Sequence, residues 1–161
     1  MTKITAVSPS ATNPDVATGV AQFLTPIVID MTALVVNGKQ AHWNVRGANF
    51  IGVHELLDVV VANAQAWADL AAERVIALGL PIDARLGTVA RETTAVPLSA
   101  GFQQSETTIS EIVAHMDAAL VNIHTAIDEL DEIDQGSQDI AIEIEAGLTK
   151  DRWLLVAHIS A

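Results

Sequence analysis

Apolar residues recur at alternating spacings of three and four positions in four long segments of this 161-residue chain. This spacing places apolar side chains along one face of an α-helix, and it is typical of the helices of a bundle. The pattern is clearest in the third segment, whose stripe comprises Ile109, Ile112, Met116, Leu120, Ile123, Ile127 and Leu130. A chain of this length can bury a sizeable core as one domain. We therefore predict an all-α fold.

Capping residues and helix breakers give the expected ends of these helices. The first begins with Asn13 as its cap and Pro14 in its first turn, and Pro26 should kink it. The second ends before Gly79, a typical stop signal. The fourth opens with a strand-like alternation, which we interpret as helix because a lone strand would have no partner. The last three helices are expected over about residues 51–78, 105–133 and 137–159.

Residues 80–104 form a segment that is too long for a simple turn between two bundle helices. Residues 88–93 within it have the character of a short helix. A four-helix bundle with one crossover needs such a long connection between its second and third helices. We expect residues 14–161 to form this bundle, with a short extra helix in the crossover, and residues 1–13 to be a flexible tail.

The composition argues against several classes of function. The chain has no cysteine, which excludes a disulfide, a thiolate nucleophile and a zinc–thiolate cluster. It also lacks the Gly-x-Ser-x-Gly elbow of serine hydrolases and the Gly-rich loops that bind phosphate. Its start does not resemble a secretory signal, and no apolar run approaches the roughly 20 residues of a membrane span. We expect a cytoplasmic protein with no membrane partner.

Negative charge is concentrated in the second half of the chain. The formal net charge is −12, and no Lys or Arg lies between Arg91 and Lys150. A surface of this kind attracts cations and repels the phosphates of DNA. The alternative is a solvated acidic face that only confers solubility.

Five potential metal ligands occur within one short stretch: His42, His54, Asp58, Asp69 and Glu73. Imidazoles combined with carboxylates suit iron, zinc or manganese, and a mixed, relatively hard set of this kind favours Fe(II). His54 and Asp58 are four residues apart and therefore share a helix face, and Asp69 and Glu73 repeat that spacing. The chain therefore predicts a metal site whose ligands also have catalytic roles.

The two ligand pairs lie too far apart on their helix to meet within one chain. At about 100° per residue both pairs lie on one stripe, but their centres are separated by about 15 residues, or roughly 22 Å. Metal–ligand bonds are only about 2 Å long. An antiparallel copy of the helix from a second subunit, related by a two-fold axis near Asn63 and Ala64, would bring the pairs together and create two identical sites. Small side chains would allow this close approach: Ala62, Ala66, Ala68 and Ala72.

Other candidate residues have plainer interpretations. Trp43 and Trp67 lie near the ligands in sequence, where they could pack or intercept stray radicals. His124 and Asp128 repeat the ligand spacing without a second pair in register, so we interpret them as a surface pair. We interpret the remaining histidines as ordinary helix residues: His115 and His158.

Two segments of the chain resemble the Dps family, the small ferritin-like proteins of bacteria and archaea. Residues 39–58 match the first family signature without a gap, and they contain three of the ligands and Trp43. Residues 69–79 match the second signature with small departures, because Ala68 and Ala71 stand where larger apolar residues are common. The resemblance covers nearly the whole chain and implies a ferritin-like four-helix bundle.

The resemblance also implies an assembly and an activity. It implies a hollow homododecamer with ferroxidase sites at its two-fold interfaces, where His42, His54 and Asp58 come from one subunit and Asp69 and Glu73 from the other. Each site would take one or two irons, oxidise Fe(II) preferably with hydrogen peroxide, and pass ferric product to a mineral store, which protects against oxidative stress. The acidic stretch would then line the cavity and the pores, with four candidates for drawing iron inward or nucleating mineral: Asp134, Asp139, Glu143 and Glu145.

Two alternative functions remain open at this point. A nucleoid protein would bind DNA directly, but the first thirteen residues offer only Lys3 and the carboxyl end has no basic tail, so we expect DNA binding to be weak or absent. A metal-dependent hydrolase could use the same ligands to activate water, either in place of iron oxidation or as a secondary activity beside it.

Overall fold

The computed structural model describes residues 13–160 and consists of helices and one very short strand pair. The predicted flexible tail therefore lies outside the described residues, apart from Asn13. The elements in chain order are α1 (Pro14–Asn44), β1 (Val45–Arg46), α2 (Phe50–Ala77), α3 (Leu86–Glu92), β2 (Gln103–Gln104), α4 (Ser105–Leu130) and α5 (Gln135–Ala157). The all-α fold, the crossover and its short helix are confirmed.

The apolar stripes of the four long helices meet in one core. Its largest fully buried side chains include Leu24 and Met31 of α1, Leu57 of α2, Met116 of α4 and Leu148 of α5. Burying one such side chain stabilises the fold by about 1.5–3 kcal/mol. Packing of α1 against both α2 and α4, and of α5 against α4 and α2, encloses this core.

Helix α1 contains a long apolar stretch. By length and composition it is the one helix among residues 13–160 that could cross a membrane. Half of the residues in its most apolar stretch are buried inside the protein. The buried half faces α2 and α4, so its apolar character is accounted for by the core of the bundle.

Side-chain caps fix the helix starts in two places. The Asn13 side chain accepts a hydrogen bond from the backbone N–H of Asp15, as predicted for the start of α1. Asp134 caps α5 by accepting from the backbone N–H of Ser137 at 3.0 Å. The predicted third helix was too long at its end, because α4 stops at Leu130 and the chain turns to reach this cap. The strand-like alternation after it is helical, as interpreted.

The strand pair has no counterpart in the sequence-based expectations. Val45 pairs with Gln103 and Arg46 with Gln104 in parallel register. Two residues are too few for a periodic pattern to appear. The Ser105 hydroxyl strengthens the junction by donating to the carbonyl of Arg46 at 2.9 Å. The end of the crossover is thereby attached to the connection between α1 and α2.

A buried carboxylate holds the crossover against the bundle. Asp30 of α1 is 1% exposed. Its oxygens accept hydrogen bonds from the Thr93 hydroxyl at 3.0 Å, the Thr94 backbone N–H at 2.8 Å, the Thr94 hydroxyl at 2.9 Å and the Asn122 amide at 2.8 Å. A buried charge is tolerated when its lone pairs are satisfied in this way. Asp30 therefore connects α1, α4 and the crossover.

His115 of α4 is buried in the same contact between α1 and α4. Its side chain is fully inaccessible, its Nδ1 lies 3.5 Å from the Asn37 amide nitrogen, and its Nε2 has no hydrogen-bond partner among the described residues. Burial lowers the pKa of His115 below its ordinary value of 6.5, an effect that Asp30 opposes. The expectation that His115 is an ordinary helix residue is therefore incomplete, because it is a buried, neutral imidazole.

Removing the Asp30 carboxylate should release the crossover. Asp30→Ala would leave three side-chain donors and one backbone donor without their acceptor, and should lower the free energy of unfolding by about 3 kcal/mol or more. Thr94→Val removes one side-chain donor and should cost about 1–2 kcal/mol. Hydrogen exchange should accelerate over residues 93–104 in Asp30→Ala. The exposed Asp139→Asn is the control, and unchanged exchange in the crossover would contradict this role for Asp30.

The neutral state of His115 should make stability depend on pH. Because the folded pKa is lower than the unfolded one, the unfolded chain binds more protons below about pH 6.5, and stability should fall as the pH decreases from there. One such group contributes at most about 1.4 kcal/mol per pH unit. Denaturant unfolding of His115→Gln at pH 5 to 8 and fixed protein concentration should show a shallower decline than the parent protein. The exposed His158→Gln should retain the parental slope, and an equal decline in all three proteins would refute the prediction.

Candidate metal centre

Two histidines at the junction of α1 and α2 orient each other through the backbone. His42 Nδ1 lies 2.8 Å from the carbonyl oxygen of His54, and His54 Nδ1 lies 2.9 Å from the carbonyl oxygen of His42. The two rings stack with centroids 3.7 Å apart. Since a carbonyl only accepts, each Nδ1 must carry a proton, and in the neutral ring the lone pair then lies on Nε2. This is the tautomer that a metal ligand requires.

The close approach of α1 to α2 brings this pair together. The helices run antiparallel, and Gly38 of α1 faces Val61 of α2 so closely that a Cβ at Gly38 would lie 2.7 Å from the valine Cγ2. His42 lies in the last turn of α1 and is buried, whereas His54 lies near the start of α2 and is half-buried. The sequence therefore places both rings at one end of the same helix–helix contact.

Asp58 lies beside the histidines and is already paired with a cation. Its Oδ1 is 3.3 Å from His42 Nδ1 and 2.5 Å from Lys39 Nζ. The hydrogen bond from Lys39 lowers the pKa of the Asp58 carboxyl, with smaller contributions from His42 and His54. Lys39 was not among the residues predicted from the sequence. Its position three residues before His42, on the same face of the helix, could have indicated it.

The other two predicted ligands, Asp69 and Glu73, lie further along α2. Both are exposed, and they lie roughly 16 Å or more along the helix from Asp58. Within residues 13–160 no three His, Asp or Glu side chains of one chain are arranged to hold a metal ion. The five predicted ligands therefore lie in two separate places in the single chain: three near the α1–α2 junction and two in the second half of α2.

Asp69 borders an open groove between α1, α2 and the crossover. The groove has a volume of about 620 Å³, and its walls include Val28 and Thr32 of α1 and Ile82 of the crossover. The four alanines expected to permit close helix approach all contribute to its lining: Ala62, Ala66, Ala68 and Ala72. The groove thus offers a mostly apolar surface next to a candidate ligand.

Of the three tryptophans in the chain, the two near the predicted ligands in sequence have different environments. The Trp67 indole is half-buried and packs directly on Gly147 of α5, where a Cβ would clash with the ring. Trp67 is two residues from Asp69 on α2, so the two side chains point to nearly opposite sides of the helix, about 160° apart. Packing therefore explains the position of Trp67. Trp43 follows His42 and is 66% exposed. Only Trp43 lies next to a candidate ligand with its ring accessible.

The four acidic candidates in the second half lie in different settings. Asp134 is engaged by Arg74 at 2.6 Å and caps α5, so it has a structural role. Glu145 accepts from the Thr149 hydroxyl at 3.0 Å and lies 3.6 Å from His124 Nε2. His124 therefore contacts α5 and not the expected Asp128. The remaining two are exposed on α5: Asp139 and Glu143.

The chain is similar to known proteins in its sequence and in its fold. The chain matches the ferritin-like domain family over residues 27–161. It is 38% identical over 140 residues to the DNA protection during starvation protein of Agrobacterium fabrum, covering 82% of this chain and 80% of that protein. The structure of Dps from Microbacterium arborescens in the high iron form is 61% identical, with a TM-score of 0.90, and the match covers 94% of this chain and 99% of that one. Mycobacterium smegmatis Dps is 27% identical, with a TM-score of 0.86 over 100% of this chain and 96% of the other. This protein belongs to the Dps family of ferritin-like proteins.

Proposed function

We propose that this protein oxidises Fe(II) at sites shared between two subunits and stores the ferric product inside a hollow homododecamer. Dps proteins store iron and protect against oxidative damage, and they are generally iron-oxidising. The observation that carries the proposal is the reciprocal hydrogen bonding of His42 and His54 to each other's backbone. It gives both rings the tautomer of metal ligands beside the Asp58 carboxylate.

The ligand set suits the substrate that we propose. Two neutral imidazoles and the carboxylates of Asp58, Asp69 and Glu73 match the preference of Fe(II) for nitrogen and oxygen ligands. Ferric iron is a harder cation, so carboxylates stabilise the oxidised state more than imidazoles do. Five protein ligands shared between one or two irons would leave positions for the oxidant.

Hydrogen peroxide is the oxidant that we favour. Two Fe(II) ions each lose one electron, and peroxide accepts both electrons with two protons to give two molecules of water. The O–O bond is then broken by a two-electron reduction, so no hydroxyl radical is released. In this way the protein would remove both reactants of a damaging reaction. Trp43, accessible beside His42, would intercept an oxidising equivalent that escapes.

The shared site requires a second subunit in the α2 groove. Ala64 itself is buried in the core and Asn63 donates to Asp151 of α5, so a partner helix would cross at their level but on the other face of α2, beside Ala62 and Ala66. An antiparallel α2 in this position would place its Asp69 and Glu73 against the histidine pair. The groove of about 620 Å³ and its alanine lining support this arrangement, because a helix can approach closely over small side chains. Two-fold symmetry would make two equivalent sites for each pair of subunits.

Storage and protection would both rely on the negative charge. A net charge of −12 attracts Fe(II), and exposed carboxylates such as Asp139 and Glu143 would guide the ion inward and hold growing mineral. The same charge opposes contact with DNA phosphates. We infer that the protein acts in the cytoplasm and protects by consuming iron and peroxide, with weak or no direct binding of DNA.

Loss of one histidine ligand should abolish fast iron oxidation. His54→Ala removes an Nε2 ligand and the ring that stacks on His42, so the initial rate of Fe(II) oxidation by peroxide should fall by about tenfold or more, while the shell stays assembled. The rate is measured by ferric absorbance and the assembly by light scattering. His124→Ala is the control, since its ring is 61% exposed and lies on α4. A parental rate in His54→Ala would contradict the assignment.

Co-assembly of two inactive variants should restore part of the activity if the site is shared. One variant carries His54→Ala and Asp58→Ala, and the other carries Asp69→Ala and Glu73→Ala. Each alone destroys every site, whereas a mixed pair of subunits retains one intact site. Random co-expression should therefore recover about a quarter of the parental sites. If each site lay within one chain, the mixed shells would remain as inactive as the two parents.

A further inference from the structure

We propose that α1, α4 and the end of the crossover enclose a binding site for one water molecule, which joins Thr108 to the last residue of α1. Among residues 13–160 two buried side-chain atoms have no hydrogen-bond partner, and both belong to α4: the hydroxyl oxygen of Thr108 and Nε2 of His115. Thr108 is 2% exposed. Buried hydroxyl groups that lack every partner are rare in folded proteins. The hydroxyl of Thr108 therefore indicates a ligand.

Polar residues recur every seven positions on both helices where α1 meets α4. Side chains seven positions apart lie two helical turns from each other and point within about 20° of the same direction. Because the helices are antiparallel, seven residues forward along α1 correspond to seven residues back along α4. The polar residues therefore form three layers, and these are Asp30 with Asn122, Asn37 with His115, and Asn44 with Thr108.

The third layer differs from the other two because its members are separated by a small cavity. In the first layer the amide of α4 donates directly to the carboxylate of α1 at 2.8 Å. In the second layer an amide nitrogen of α1 lies 3.5 Å from the imidazole Nδ1 of α4. In the third layer Asn44 and Thr108 both line a cavity of about 10 Å³. A single buried water needs roughly 10–15 Å³, so this gap fits one water molecule.

The lining of the cavity supplies the hydrogen-bond partners that a buried water needs. The Thr108 hydroxyl donates to the water oxygen. Asn44 donates its amide N–H to the carbonyl of Gln40 at 2.8 Å, which leaves its amide oxygen to accept from the water. Glu111 also lines the cavity, and its carboxylate, which accepts from Ser99, has further lone pairs for the second water proton. Three hydrogen bonds are the usual number for a buried water.

This water connects three parts of the chain. Asn44 is the last residue of α1, Thr108 lies near the start of α4, and Ser99 and Gln103 bring the end of the crossover to the same cavity. Polar layers within an apolar helix contact fix the register of the two helices, because a shift would bury each polar group against apolar side chains. The water completes the third layer and fixes where α1 ends relative to α4.

Replacing the hydroxyl by a methyl group tests the site. Thr108→Val keeps the shape of the side chain and removes its polar atom. If a water occupies the cavity, it loses a partner, and the Tm of the assembled protein should fall by about 2–4 °C. If the cavity is dry, the variant removes an unpaired buried hydroxyl, and the Tm should rise. The sign of the shift therefore distinguishes the two cases.

Two further variants serve as controls, with all Tm values measured at one scan rate and protein concentration. Thr107→Val makes the same exchange at the neighbouring exposed position and should shift the Tm less than Thr108→Val does. Thr108→Ser retains the hydroxyl and should retain the water. High-resolution crystal structures should show a water about 2.7–3.0 Å from the hydroxyl oxygen in the parent and in Thr108→Ser, but none there in Thr108→Val. A dry cavity in the parent, a water that stays in Thr108→Val, or a higher Tm in Thr108→Val would overturn the proposal.

Discussion

The antiparallel contact between α1 and α2 is the interaction on which the candidate site depends. Close packing at Gly38 and Val61 brings the end of α1 against the beginning of α2. The two histidine side chains then exchange hydrogen bonds with each other's carbonyl oxygens. Because the acceptors are backbone atoms, the orientation of the rings is set by the register of the two helices. A shift of one residue would break both hydrogen bonds and separate Asp58 from His42.

Two aspartates on neighbouring helices illustrate how environment decides the role of a carboxylate. Asp30 is buried, and its hydrogen bonds come from three side chains and one backbone amide, so it joins the crossover to α1 and α4. Asp58 is half exposed, and its shortest contact is with one partly exposed ammonium group. Releasing Asp30 would leave several buried donors without an acceptor, whereas Asp58 and Lys39 are both accessible to water. Of the two carboxylates, Asp58 is therefore the one that a cation from solution can reach.

The features that could be predicted from the sequence are those that local periodicity and helix geometry determine. The spacing of three and four identified all four long helices. Five of the seven stripe residues predicted for α4 are buried, and Leu120 and Ile127 are partly buried against the core. The separation of Asp58 from Asp69 needs only the rise of a helix, so the presence of two distinct half-sites follows from their spacing in the sequence. The end of α4 was missed because Ile133, which continues the apolar stripe, leaves the helix and packs near Gly19 of α1.

Contacts between distant parts of the chain could not be predicted in this way. Asp30 meets Thr93 and Asn122, which are 63 and 92 residues away. A lone Asp in an apolar segment indicates that its carboxylate needs hydrogen-bond donors, but no local sequence pattern identifies those donors. His115 is similar, since its burial depends on Asn37 and Asp30 from α1. Lys39 differs from Asp30 and His115, because its position three residues before His42 could be read from the sequence. Its contact with a predicted ligand was therefore open to prediction.

The proposed division of the site between subunits would link chemistry to assembly. A single chain presents two groups of candidate ligands. One is the histidine pair with Asp58, whose carboxylate is paired with Lys39, and the other is the exposed pair of Asp69 and Glu73. Neither group supplies enough ligands to hold Fe(II) for oxidation. The full ligand set would exist only where two subunits meet, at the boundary of the shell that receives the product. Free subunits would therefore not generate ferric ions or radicals in solution. The distance along α2 that prevents one chain from closing a metal site would thus confine iron oxidation to the assembled protein.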